Sequence, residues 1–144
     1  MYLQDRYNYI ISAELSELDD NTNKLRTKKL DMLLNIYQGL FTIPFDIQLT
    51  YGTFEDIMER SFIVSAPFQI VENERFEKVL KQVCFILFGQ YAIIRQDRQG
   101  KFQYLICNGR KLRCKGSVIK DTIPLQGNFT YLPKQNKYIQ LYFE

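Results

Sequence analysis

Histidine is absent from this chain, tryptophan is absent too, and cysteine occurs only three times in 144 residues. Without imidazole, the usual proton shuttle near neutral pH and the commonest nitrogen ligand for metals are missing. Cys84, Cys107 and Cys114 are odd in number and show no CxxC spacing, which encourages neither a disulfide framework nor a thiolate metal site. Reduced, packed thiols are the plain reading. Long apolar runs are also absent: the longest nearly uncharged stretch, residues 82–94, is too short to cross a bilayer, and the first six residues carry charge. Acyl-transfer, thiol and zinc chemistry therefore fit poorly, no metal or other cofactor is expected, and the expected location is the cytoplasm (the host cell's, if the chain is phage-encoded), without membrane association.

What is present suits a folded domain. Hydrophobic residues make up 46% and charged residues 24%, with 10 Tyr and 11 Phe, far from the composition of disordered chains. A chain of this length is expected to form one domain, residues 1–144, and to bury about two thirds of its unfolded surface. The net charge of +3, from 19 basic and 16 acidic residues, says little about partners unless the cations cluster.

Along the chain, residues 6–13 read as a strand and the acidic, Asn-rich residues 14–23 as a loop. Leu30, Leu33, Leu34 and Tyr37 recur at helical spacing, so the periodicity predicts a helix over 22–38 that stops at Gly39. Residues 43–51 place Ile43, Phe45, Ile47, Leu49 and Tyr51 on one face of a half-buried strand; Gly52 to Asp56 should turn, and 61–66 form another strand. Asn73 is placed to cap a second helix with a stripe of Phe76, Val79, Leu80, Val83 and Leu87, ended by Gly89. Strands follow at 91–96, 102–107, 110–115, 129–132 and 138–143. Asn108-Gly109 is a strong two-residue hairpin signal. Taken literally, it pairs Ile106 with Lys111, Tyr104 with Arg113 and Phe102 with Lys115, putting aromatics and cations on one face and Leu105, Cys107, Leu112 and Cys114 on the other. No repeat, low-complexity run or linker interrupts the chain, and the expected fold class is α+β, two helices packed on a mainly antiparallel β-sheet with C-terminal hairpins.

Three features carry chemistry. The first is the opening of the first helix, where Lys24, Arg26, Lys28 and Lys29 stand against the helix dipole. They would suit a phosphate or an acidic partner, unless they are simply solvated and neutralised by Asp19 and Asp20. The second is the hairpin surface of Phe102, Tyr104, Lys111, Arg113 and Lys115, similar in kind to platforms that stack bases and hold phosphates. Its bland alternative has the aromatics under a helix with the cationic stems spread around them. The third is a set of polar residues at the ends of elements: Ser12, Glu14, Arg26, Glu59, Ser61 and Gln90.

The order of those polar residues carries a resemblance. Residues 10–30 (IISAELSELDDNTNKLRTKKL), then Gly52, then Glu59-Arg60-Ser61-Phe62-Ile63-Val64, then Phe88-Gly89-Gln90-Tyr91-Ala92 resemble a small bacterial and phage family catalogued only as a domain of unknown function. The resemblance spans about the first 95 residues. It implies no activity, but it implies that Ser12, Asn23, Arg26, Glu59, Ser61 and Gln90 converge. Arg26 could then pair with Glu59 in a bidentate fork, or stay free as an anion receptor. The expected function is a small soluble accessory protein, of viral (phage) or mobile-element type, that binds another macromolecule, most simply a protein. It is not expected to be an enzyme. Nucleic-acid binding is the first alternative and needs the helix and hairpin cations on one continuous face. A metal-dependent hydrolase is the second and needs Glu14, Asp19, Asp20 and Glu59 to gather around one Mg²⁺, although no spaced DxD or ExK pattern supports it.

Overall fold

The computed structural model describes residues 6–40, 45–54, 56–72 and 74–143. Its strands are β1 (Arg6–Ile11), β2 (Asp46–Phe54), β3 (Ile57–Pro67), β4 (Ala92–Gln96), β5 (Phe102–Ile106), β6 (Lys111–Lys120), β7 (Asn128–Leu132) and β8 (Lys137–Phe143). Helix α1 (Asp20–Gln38) follows β1, while α2 (Phe68–Val71), α3 (Arg75–Lys81) and a π-helical segment (Gln82–Leu87) lie between β3 and β4.

The α+β expectation is overturned. All eight strands form one closed antiparallel barrel in the order β1-β3-β2-β7-β8-β6-β5-β4, with β4 pairing back onto β1 through Asn8↔Gln96, Tyr9↔Arg95 and Ile10↔Ile94. The physical reason lies in strands that bury both faces. On β3, Phe62, Val64 and Ala66 point outward into a cluster with Leu30, Leu34, Phe76 and Leu80 of the helices. Ile63, one step out of phase, points inward to Phe102, Leu132, Ile139 and Leu141. A sheet covered on one side only would leave that second face to water; closure buries it and removes the edges.

Helix α1 begins at Asp20, two residues before the periodicity suggests, because the Asp19 carboxylate accepts the Thr22 N–H at 2.7 Å. It buries Asn23, Thr27, Leu30 and Leu34 against the barrel wall. The cap expected at Asn73 lies outside the described residues. In the second helical region Phe76, Leu80 and Val83 are buried as expected, but the Phe88 N–H reaches back five residues to the Val83 carbonyl. That extra residue per turn rotates the stripe, so Cys84 and Phe88 are buried and Leu87 is 60% exposed. Gly89, at φ +63°, ends the segment.

Two strand readings also change. β2 runs on through Gly52 to Phe54 instead of turning there, and the proposed start at Ile43 lies outside the described residues. The β5–β6 hairpin is shifted by one residue: Gln103 pairs with Arg113, Tyr104 with Leu112 and Leu105 with Lys111. Gly109 N–H bonds the Ile106 carbonyl and Ile106 N–H bonds Arg110. The turn is therefore centred on Cys107-Asn108, with Gly109 at φ +90° in the bulge position. One residue of slip reverses which side chains share a face. Phe102, Tyr104, Leu112 and Cys114 now share the inner face.

Candidate functional site

One end of the barrel is open. There β1, β2, β5 and β8 finish, and the loop after β1, the start of α1 and the segment after the π-helix surround the opening. Inside lies a cavity of about 90 Å³ whose lining includes Ser12, Gly52, Phe54, Glu59, Ser61, Ala92, Tyr104 and Thr130. Above it a groove of about 750 Å³ runs between the post-β1 loop and the β2–β3 hairpin, and Phe54, Glu59, Gln90 and Tyr91 belong to both. The cavity exists because the inward positions at this level are small. Gly52 pairs with Glu59 on one side and with Thr130 on the other. A Cβ at Gly52 would come within 2.2 Å of the Phe129 carbonyl, so glycine is what lets β2 and β7 approach here.

Four of the six polar residues that the resemblance groups together build the rim by hydrogen-bonding backbone. Ser12 Oγ donates to the Arg60 carbonyl and accepts the Glu14 N–H. Asn23 makes a reciprocal pair with Leu15, accepting its N–H and donating to its carbonyl. Gln90 Nε2 donates to the Glu14 carbonyl at 2.9 Å. Arg26 donates to the carbonyls of Ala13 and Phe88 and sits 5.4 Å from the Phe88 ring centre. The Arg26–Glu59 fork is thus corrected: the guanidinium serves the backbone carbonyl left without a helical partner at the end of the π-segment. The ion pair at the rim is instead Arg60 with Glu14, extended by Arg60 Nη2 to Asp20 at 2.8 Å. Arg60 follows Glu59 directly, so strand alternation turns it outward while Glu59 turns in.

Glu59 and Ser61 are left over. Among the described residues neither side chain has a hydrogen-bond or ion-pair partner, and the same holds for Thr130; Ser61 and Thr130 are 3% and 5% exposed. Burial, reinforced by the negative charge of Glu14, pushes the Glu59 carboxyl up from 4.5 to about 7. The arrangement can accept hydrogen bonds from, and neutralise, a cation that enters the mouth.

The remaining sequence candidates do not join this site as a surface. Lys24, Lys28 and Lys29 are exposed on α1, with Lys24 held 3.4 Å from Asp20. Helix α1 lies over β2 and β3, where Thr27 and Lys28 border Ile47, Leu49 and Phe62. Lys111, Arg113 and Lys115 are exposed on β6, which stands four strands from β3 in either direction around the eight-stranded ring. Phe102 and Tyr104 are inside, with Tyr104 stacked on Phe143 at 3.6 Å and edge-on to Phe54. The aromatic-and-basic platform is therefore split between the two faces of the barrel wall. Nor do the acids gather around one point: Asp19 caps α1, Glu14 and Asp20 hold Arg60, and among the described residues no three His, Cys, Asp or Glu side chains are placed to hold a metal ion.

Phe54, Tyr91, Asn128 and Thr130 complete the mouth without having been expected there. The available signal was Gly52 inside an alternating run, in phase with Thr50 and Phe54. No family model matches the chain, and no curated protein matches it either.

Proposed function

We propose that this protein is a non-catalytic recognition module whose barrel mouth binds a basic segment of a protein partner. The observation that supports this reading is the unpartnered, partly buried Glu59 carboxylate in a groove rimmed by exposed apolar side chains. Ile57, Met58 and Tyr91 are 50%, 52% and 63% exposed around that opening, the kind of apolar contact that binding sites leave to water until a partner covers it. Glu17 and Asp20 add negative charge to the wall, against the single cation Arg60 among the groove's lining residues. Charge complementarity of this kind selects a basic partner and speeds its encounter. Nucleic acid is a poorer fit, because the exposed cations of α1 and β6 face away from each other while the groove itself is acidic.

Selection of a random peptide library against the folded protein tests the reading, followed by calorimetry of the enriched peptides. Peptides carrying Lys or Arg between apolar residues should be enriched, and Glu59→Lys and Met58→Asp should each weaken them by about tenfold or more, some 1.4 kcal/mol. Absence of enrichment, or affinities that ignore both substitutions, would overturn it.

A further inference from the structure

We propose that the cavity beneath the groove is a primary-ammonium site, built to take the tip of a lysine side chain and to reject a guanidinium. This deepens the groove reading and rests on it for the source of the lysine. Glu59 and Thr130 flank Gly52 at one level, and Ser61 lies one inward position deeper on β3, opposite Thr50. Three oxygen-bearing side chains without partners among the described residues thus bracket the void at Gly52 from both sides and from below.

An ammonium group carries three N–H donors around a point and no acceptor, so one carboxylate and two hydroxyls arranged in three dimensions match it. A guanidinium is a flat fork that needs coplanar acceptors. As residues, Ser61 and Thr130 are 3% and 5% exposed, and both line the cavity, so an N–H donor that enters it would give their hydroxyls a partner. Phe54 and Tyr104, edge-on with ring centres 6.0 Å apart, line the same cavity and offer apolar walls to the stem. The volume, about 90 Å³, is on the order of three waters, room for a slender chain end and little more.

The test uses the full ¹⁵N-labelled chain with n-butylammonium, n-butylguanidinium and n-butanol as probes, read by amide shifts. Butylammonium should cause saturable shifts at Gly52, Ser61, Ala92 and Thr130, with butylguanidinium and butanol weaker by about tenfold or more. Glu59→Gln, nearly isosteric, should remove the response, and Thr130→Val should weaken it about threefold to tenfold with the spectrum otherwise folded. Equal binding of butylguanidinium, shifts confined to other residues, or an unchanged response in Glu59→Gln would overturn the inference. In the peptides that bind the groove, exchanging the lysine for arginine or acetyl-lysine should cost about tenfold. Binding that tolerates the exchange would remove the ammonium site and leave the groove reading intact. Butylammonium bound in the cavity with no peptide bound in the groove would remove the groove reading and leave the ammonium site.

Discussion

A carboxylate kept for a ligand and given no partner of its own should weaken the empty fold, and the size of that effect can be worked out for Glu59. Its carboxyl titrates near 7 in the folded chain against an ordinary 4.5, chiefly because burial penalises the charged form and secondarily because Glu14 is close. At 1.36 kcal/mol per pH unit the gap corresponds to about 3 kcal/mol, reduced to about 2 kcal/mol because the group is partly open to solvent. Between 4.5 and 7 the folded state holds a proton that the unfolded state has released, so stability falls as pH rises through this window. The penalty is absent well below 4.5 and fully present above 7.

Glu59→Gln imitates the protonated side chain at every pH. The variant should match the wild type near pH 4.5 and exceed it by about 2 kcal/mol at pH 8, measured by urea denaturation at a series of pH values. Subtracting wild type from variant removes the titration of groups common to both. A stability difference that stays constant from pH 5 to 8, or that favours the wild type increasingly as pH rises, would refute the description of Glu59 as a buried, unpartnered acid.

Three further outcomes follow from other parts of the barrel. Gly52→Ala forces β2 away from the Phe129 carbonyl that its Cβ would meet at 2.2 Å, and should cost about 2–3 kcal/mol in thermal denaturation while weakening butylammonium binding. Burial opposes ionisation of Glu77, but the Tyr9 hydroxyl at 2.7 Å and Arg95 at 2.7 Å outweigh it and hold the carboxyl below its ordinary range. Glu77→Ala should therefore cost about 3 kcal/mol at pH 7 and progressively less as pH falls through the carboxylate range, because the protonated wild type loses the same interaction. Burial pushes the Cys84 thiol up to about 12, whereas Cys107 is exposed, so a thiol reagent at pH 8 should label Cys107 promptly and Cys84 only on unfolding, as peptide mapping would show.

Much of the local structure was legible, because periodicity and punctuation are local properties. Helix α1, the Gly89 stop and the five C-terminal strands follow from spacing and turn residues. Closure of the barrel was not legible, because an alternation that buries one face reads the same whether the other face meets water or the inside of a barrel. Ser61, Ile63 and Ser65 look like the polar-leaning outer side of β3, and only the pairing of β4 with β1 makes that side interior. The hairpin failed by one residue for a similar reason. Asn-Gly fits the centre of a two-residue turn, but Gly109 also fits the bulge of a longer one, and nothing local decides between them. At the site, Ser12, Glu59, Ser61 and Gln90 line one cavity while Asn23 and Arg26 do not, and the sequence shows only that all six are polar. It did not separate rim-building residues from free ones, because hydrogen bonds to backbone leave no mark in the side-chain pattern.

That separation is what makes the mouth more than a polar defect. Among the described residues two fully buried atoms lack partners, Asn8 Oδ1 and Arg95 Nε, yet each belongs to a side chain otherwise engaged: Asn8 Nδ2 donates to Gln96 and Arg95 holds both Glu77 and Gln103. At the mouth, Glu59, Ser61 and Thr130 have no partner at all among the described residues, and all three line the same cavity. Packing alone could have filled that space, as it does around it with Ile63, the next inward position beyond Ser61, and Ile139, opposite Thr130. A larger apolar residue in place of Ser61 or Thr130 would remove both the void and the unmet hydroxyl, and a neutral residue in place of Glu59 would relieve the buried charge. Polar groups without partners concentrated around a cavity, with neighbours such as Ser12 and Gln90 hydrogen-bonded to the backbone of its rim, are the local inconsistency expected where a fold is shaped for a ligand and not for its own stability.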